Sequence, residues 1–386
     1  MNYTKSIENL KSLRNRIKQN KLKIDENSKR FGFDYQEELV KVNDLRAIPL
    51  FVSNKDDTEL SIKVLPVSND FSSEEHPTMI EYIFLKEFND NVVFTKRSPH
   101  IVGYLGAKKA NNSSIALSKF KLKKYEIDRL VKQKSLLIFS EYIKGGSLEE
   151  YSTEHDLSLY QWTMLVFQII YTMYILQKRY SFMHNDLHFG NILIDTTKYT
   201  EEIFEYKVDN EFFYTKNCGI LPKLWDFEFS QVYNKPNDMP MNFNNKLVPV
   251  INAKPPQQYD PYYDIHFFLV SLLELNIPDE LAFWILELYP KEVIPEEFHK
   301  KDKPSGLDEE VVNIKNNSVS ESDSESDSDS SNDSKYLTEF LWHGRILDGV
   351  GKKFDLPTVK ELLSNDFFNV LKSNPSPESH SITFEY

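Results

Sequence analysis

Residues 183–194 read Met183-His184-Asn185-Asp186-Leu187-His188-Phe189-Gly190-Asn191-Ile192-Leu193-Ile194. A long apolar run, Trp162 to Leu176, precedes this stretch, and its last residues begin a β-like run. Asp186 and Asn191 therefore fall on one loop between two apolar elements, with four residues between them. Phosphoryl transfer needs two such groups on a rigid loop. A carboxylate orients the attacking hydroxyl, and a carbonyl oxygen holds a metal ion on the phosphates. Asp186 suits the first task and Asn191 the second. Spacing alone is a weak signal, because Asp and Asn are common loop residues. The triplet Asp226-Phe227-Glu228, placed after the apolar run Leu221 to Trp225, strengthens it.

The segment resembles the catalytic loop of protein-kinase-like folds, whose pattern is H-R-D-L-x-x-x-N. His184, Asp186, Leu187 and Asn191 match. Asn185 stands where regulated protein kinases have Arg, and His188 where Ser/Thr kinases have Lys. The D-L-H-x-G-N form is similar to haspin-like and other atypical protein kinases, including those of large DNA viruses. It is also similar to small-molecule phosphotransferases such as choline and aminoglycoside kinases.

Composition bounds the alternatives. A chain of 386 residues can bury a substantial core in one or two domains. A single cysteine, Cys218, excludes an intrachain disulfide and fits a reducing, intracellular compartment. The net charge of −13 argues against broad nucleic-acid binding. The N-terminus is polar and basic and has no apolar core of a signal peptide. Leu10, Leu13 and Ile17 give it a stripe that suits docking on the domain better than a membrane. The Trp162–Leu176 run is short of a membrane span and contains Gln168, so it reads as a buried helix.

In chain order, residues 1–30 read as a basic helical extension. Leu39, Val40 and Val42, then Ile48 to Val52, then Leu60 to Leu65 read as strands, with Asn54-Lys55-Asp56-Asp57 as a turn. Lys63 lies inside the third strand, which resembles the V-A-I-K strand whose Lys holds the α- and β-phosphates. A helix from about Pro77 to Phe88 carries Glu81 on the side of Phe84 and Leu85. The resemblance makes Glu81 the partner of Lys63, in preference to Glu87 on another face. Leu136 to Phe139 is a strand that leads into Ser140-Glu141-Tyr142-Ile143, similar to a kinase hinge. Backbone groups of Glu141 and Ile143 would then read the adenine edge, with Ser140 beside the back pocket.

After the catalytic loop, Phe204 to Val208 and Phe212 to Thr215 read as a hairpin excursion. The resemblance makes Asp226 a Mg²⁺ ligand and places Phe227 under the Glu81 helix. It also makes Asp264 the anchor of the catalytic-loop backbone. Residues 229–263 are read as the activation and substrate segment. Ser318 to Ser334 is almost wholly Ser, Asp and Glu and cannot build a core. Residues from Ser373 onward read as a tail. One expected feature is missing: Val40 to Ser53 contains no glycine, so no G-x-G-x-x-G covers the phosphates. The turn at Asp44 to Ala47 is the substitute the sequence offers.

These readings combine into an α+β, two-lobed kinase-like fold. A small β-rich lobe spans 31–142, and a larger helical lobe spans 143–372 with an acidic insert at 316–335. A tail follows at 373–386. The expected reaction moves the γ-phosphoryl of Mg-ATP to a Ser or Thr hydroxyl of a protein, with no nucleic-acid or membrane partner. Asp186 is catalytic; Lys63, Glu81, Glu141, Ile143, Asn191 and Asp226 bind the nucleotide; Asn191 and Asp226 hold the metal. A small-molecule kinase and a pseudokinase binding module are the alternatives.

Overall fold

The computed structural model describes residues 3–19, 33–34, 48–54, 59–67, 77–111, 134–196, 202–233, 258–290, 294, 355–373 and 381–386. The strand read at Leu39–Val42, the turn at Asp44–Ala47, most of the segment 229–263 and the acidic serine tract lie outside these residues. The described chain is a mixed α+β fold, organised around a five-stranded sheet and a buried helix.

The sheet runs β1-β2-β3-β5-β4. Its strands are β1 (Phe33–Asp34), β2 (Ile48–Asn54), β3 (Glu59–Val67), β4 (Tyr104–Asn111) and β5 (Lys134–Glu141). All neighbours are antiparallel, and Lys63 pairs in register with Ile138. Helix α1 (Tyr3–Lys18) packs beside β4, and α2 (Pro77–Phe88) carries Phe84, Leu85 and Phe88 fully buried. Helix α1 is thus part of the packed fold. Its Arg14 reaches Asp90, in the π-helical turn after α2, and lies over the rings of Phe94 and Tyr104.

Below the sheet, α3 (Leu148–Glu154) and α4 (Leu159–Tyr180) each begin with a capping box, Ser147 with Glu150 and Ser158 with Gln161. These side chains satisfy helix-end N–H groups that would otherwise face no partner. Helix α4 is long and apolar enough to cross a membrane by composition, but 83% of its apolar window is buried in protein. It is a core helix, apolar on all sides because protein surrounds it. Gln168, one of its buried polar residues, donates to Tyr206 Oη and Thr215 Oγ1. The helix stops at Ser181, in a left-handed conformation.

Four short strands then frame the loop that follows: β6 (Phe182–Met183), β7 (Ile192–Asp195), β10 (Leu221–Leu224) and β11 (Gln231–Val232). β10 pairs with β7 and β11 with β6, all antiparallel. The excursion between β7 and β10 is the expected hairpin, β8 (Ile203–Val208) and β9 (Glu211–Lys216). Helix α5 (Tyr263–Leu272) meets the short turn Phe189–Asn191, and α6 (Asp279–Glu287) and α7 (Val359–Leu363) pack against α4.

The C-terminal residues correct the sequence reading. Residues 381–384 are not a free tail: β12 (Ser381–Phe384) adds to β8 in parallel, and Phe384 is fully buried. Its ring meets those of Tyr3, Phe204 and Tyr206, and its carbonyl accepts from Tyr171 Oη. Two apolar residues in a short polar stretch, Ile382 and Phe384, were too few to mark a strand.

Candidate active site

The loop 183–191 is held from three sides. Asp264, at the start of α5, accepts the backbone N–H groups of His184 and Asn185. This is the anchoring expected of it. Burial pushes the Asp264 carboxyl up to about 7 despite those two donors. His184 Nε2 lies 2.9 Å from Trp225 O, and Trp225 N–H donates to Asn191 O at 3.1 Å. Asn185 Nδ2 donates to Phe229 O at 2.8 Å. Asn185 has a φ of 63° and Asp226 one of 61°, left-handed values that a non-glycine residue adopts at a cost. The loop and the strand end that carries Asp226 are therefore bolted together in a strained geometry.

Asn191 Nδ2 donates both to Asp186 O at 2.8 Å and to its Oδ2 at 3.1 Å. The two residues first singled out are thus in direct contact. The contact fixes the Asp186 carboxylate and turns the Asn191 amide so that its other end, the oxygen Oδ1, is left to face a cation with its lone pairs. His188 Nε2 is 3.9 Å from Asp186 Oδ2, while His188 Nδ1 accepts Gly190 N–H. That bond sets the tautomer of the neutral ring, with hydrogen on Nε2.

Lys63 lies between two carboxylates, its Nζ 2.8 Å from Glu81 Oε2 and 2.9 Å from Asp226 Oδ1. Glu81 is fully buried, and Lys63 nearly so. Burial opposes charge on Lys63, but Asp226, Glu81 and Glu228 together outweigh it and hold the ammonium protonated well above its ordinary range. Burial pushes Glu81 up to about 7 even against Lys63. Against the same burial, Lys63 holds Asp226 below the usual carboxylate range. Three carboxylates thus share one cation. Glu87, the competing candidate, points elsewhere and accepts from Tyr180 Oη and Asn91 Nδ2.

Phe227 packs as expected. Its ring is 5.4 Å from Phe88 at the end of α2 and 5.2 Å from His184, and Phe182 sits 5.1 Å from Phe88. An apolar column therefore links the helix of Glu81 to the loop of Asp186.

Where β5 ends, Glu141 N–H donates to Gly103 O. Among the described residues neither backbone group of Ile143 makes a backbone hydrogen bond. Gly145 N–H donates to Ile194 O, and a side chain at Gly145 would strike that oxygen. The Glu141 carboxylate has a job the sequence did not reveal: it accepts from Lys223 Nζ at 2.9 Å. The signal was a lysine inside the otherwise apolar run Leu221 to Trp225.

The donor set also fits a hard divalent cation. Asp226 and Asn191 present oxygen atoms, the excess negative charge around Lys63 favours a cation, and Mg²⁺ takes few protein ligands beside phosphates. Among the described residues no cluster of three or more His, Cys, Asp or Glu offers an all-protein metal cage.

Residues 9–246 match the family described as "Haspin like kinase domain". The chain belongs to the haspin-like kinase family. Two proteins of Acanthamoeba polyphaga mimivirus that carry inferred serine/threonine-protein kinase names are similar to it. One, R400, is 26% identical over 188 residues, 44% of this chain and 39% of the relative. The other, R301, is 26% identical over 274 residues, 58% of this chain and 69% of the relative. A Dictyostelium discoideum protein with a similarly inferred kinase name is 33% identical over 117 residues, 27% of this chain. The matched stretch spans 39% and 10% of the first two relatives' lengths, R400 and the Dictyostelium protein. The haspin-like match begins inside α1, which agrees with the packing of that helix on β4.

Proposed function

We propose that this protein is a Mg²⁺-dependent protein kinase that transfers the γ-phosphoryl of ATP to a Ser or Thr hydroxyl. The observation that carries the reading is the buried Lys63, held at once by Glu81 and Asp226. A lysine so placed is a preformed counter-charge for phosphate, and preformed charge in a dry site is the main source of catalytic power. The match to kinases supports the reading at the level of the family.

In this reading the sheet and α2 form one lobe, the helices form the other, and the chain passes between them near residue 142. ATP lies between the lobes, its base on the backbone of Glu141 and Ile143 and its phosphates on Lys63. Glu81 keeps Lys63 from wandering. Asp186, oriented by Asn191, aligns the acceptor hydroxyl and takes its proton late in the transfer. Asn191 and Asp226 are the residues that would hold Mg²⁺. The ion supplies neutralisation of charge on the phosphates. The protein's own contribution is alignment, since a correctly held pair of reactants reacts without further loss of freedom. The acceptor is a protein, and the compartment a reducing one.

The test is transfer of label from ATP to casein and to choline, by wild type and Asp186→Asn. Casein labelling that falls by ~10³-fold or more in the variant, with ATP binding retained, is the expected result. Labelling of choline alone would move the protein to the small-molecule kinases. Turnover that survives in Asp186→Asn would remove Asp186 from its role.

A further inference from the structure

Strand β10 carries a lysine into the interior. Lys223 lies three residues before Asp226, its side chain is 4% exposed, and its Nζ is 2.9 Å from Glu141 Oε1. Oε1 also accepts Gly103 N–H at 2.6 Å, and Glu141 N–H returns a bond to Gly103 O at 2.8 Å. A Cβ at position 103 would lie 3.0 Å from the Glu141 carboxyl carbon and 3.1 Å from Leu10, so a side chain there would press on the pair. Asp195, at the end of β7, also faces Lys223, but burial pushes its carboxyl up to about 7 against the lysine's pull. The lysine's ion-pair partner is Glu141. Four and five residues after Glu141, Gly145 N–H and Gly146 O bond to Ile194 O and N–H of β7.

A buried ion pair is a poor source of stability, because desolvating two charges offsets their attraction, and a well-packed apolar pair does as well. What it adds is a fixed geometry. Here it joins the two ends of the nucleotide site. Glu141 begins the backbone that faces the base, and Lys223 sits on the strand that delivers Asp226 to the phosphates.

We propose that Lys223 and the Glu141 carboxylate are positioning residues for ATP, their ion pair fixing the span between the base-facing backbone at 141–143 and Asp226. The proposal rests on the phosphotransferase reading above. A nucleotide touches both ends at once. It binds far better than its separate halves only when the span is set in advance.

The double variant Lys223→Met/Glu141→Gln tests this. It removes both charges together, leaves no lone buried ion and keeps an acceptor for Gly103 N–H. The expected result is a loss in ATP affinity of about tenfold or more, with KM for ATP rising more than kcat falls. Inhibition by adenosine and by magnesium tripolyphosphate, which each touch one end, should change less than about threefold. Lys223→Arg, which keeps the charge, should retain most of the wild-type ATP affinity. ATP affinity within about threefold of wild type overturns the proposal, and so does a loss that weakens both fragments as much as ATP. Should the double variant fail to fold, Glu141→Gln alone is read in the same way. Wild-type protein that neither binds nor uses ATP would sink the phosphotransferase reading itself. Wild type that binds ATP, with a variant that binds it equally well, sinks this proposal alone.

Discussion

Lys63 is one cation among three carboxylates, and its neighbours do not share it equally. Glu81 stays fully buried and has a carboxyl pushed up to about 7 by burial, from an ordinary value of 4.5. The folded chain therefore keeps this proton longer than the unfolded chain does. Below about pH 4.5 both hold it, and no penalty arises. As pH rises from about 4.5 to 7 the folded state is charged against its preference, and stability is lost. Glu81→Gln should thus be more stable relative to wild type at pH 8 than at pH 5, by about 1 kcal/mol or more. Urea melts at the two pH values measure the difference, and an unchanged gap would contradict the assignment. The same variant should lose activity, though less than Lys63→Met, because losing the ammonium leaves phosphate charge uncompensated. If Glu87→Gln impairs ATP use and Glu81→Gln does not, the pairing is wrong. These residues were legible in the sequence because each sits in a short pattern with a fixed local context. The Lys223–Glu141 pair was not, since its partners are 82 residues apart and no local pattern joins them.

Among elements, the apolar ones announced themselves. Helix α4 is a run that can only be buried, and the hairpin β8–β9 alternates with an intervening turn. One element that escaped is β12, which exists because β8 offers it an edge. Tertiary pairing overrode a weak local signal. Its energetic weight lies in one ring. Phe384→Ala should cost about 3–5 kcal/mol in denaturant unfolding, the range for a buried aromatic truncated to a methyl. KM for ATP should stay near wild type, because among the described residues the ring's aromatic neighbours are Tyr3, Phe204 and Tyr206, none of which belongs to the candidate site. A loss below about 1 kcal/mol would show that the strand is peripheral to the fold.

For the molecule as a whole, the question is what turns it on. In regulated kinases an Arg before the catalytic Asp pairs with a phosphate on the activation segment. Here that place is Asn185, whose Nδ2 is already donating to Phe229 O at the start of the segment. A neutral amide cannot form the bidentate, charge-assisted contact such a switch needs. Between Phe229 and Tyr263 the hydroxyl residues are Ser230, Tyr233, Tyr259, Tyr262 and Tyr263. Phosphatase-treated protein should therefore keep its activity toward the same substrate. A tenfold loss, about 1.4 kcal/mol in barrier height, restored by rephosphorylation within 229–263, would contradict this.

The contact between Tyr3 and Phe384 also has a meaning in time. The two rings lie 5.6 Å apart, and Tyr3 N–H is bound to Glu202. On a ribosome Tyr3 emerges first of all these partners, and Phe384 follows 381 residues later. At about 5–20 residues per second, that is a wait of about 20–80 s. Throughout it Tyr3 lacks its last neighbour, and from its own emergence onward so does the outer edge of β8; an unpaired edge invites the wrong strand. Closing this corner thus waits until β12 has been made. A chain released before residue 381 leaves the corner open for good.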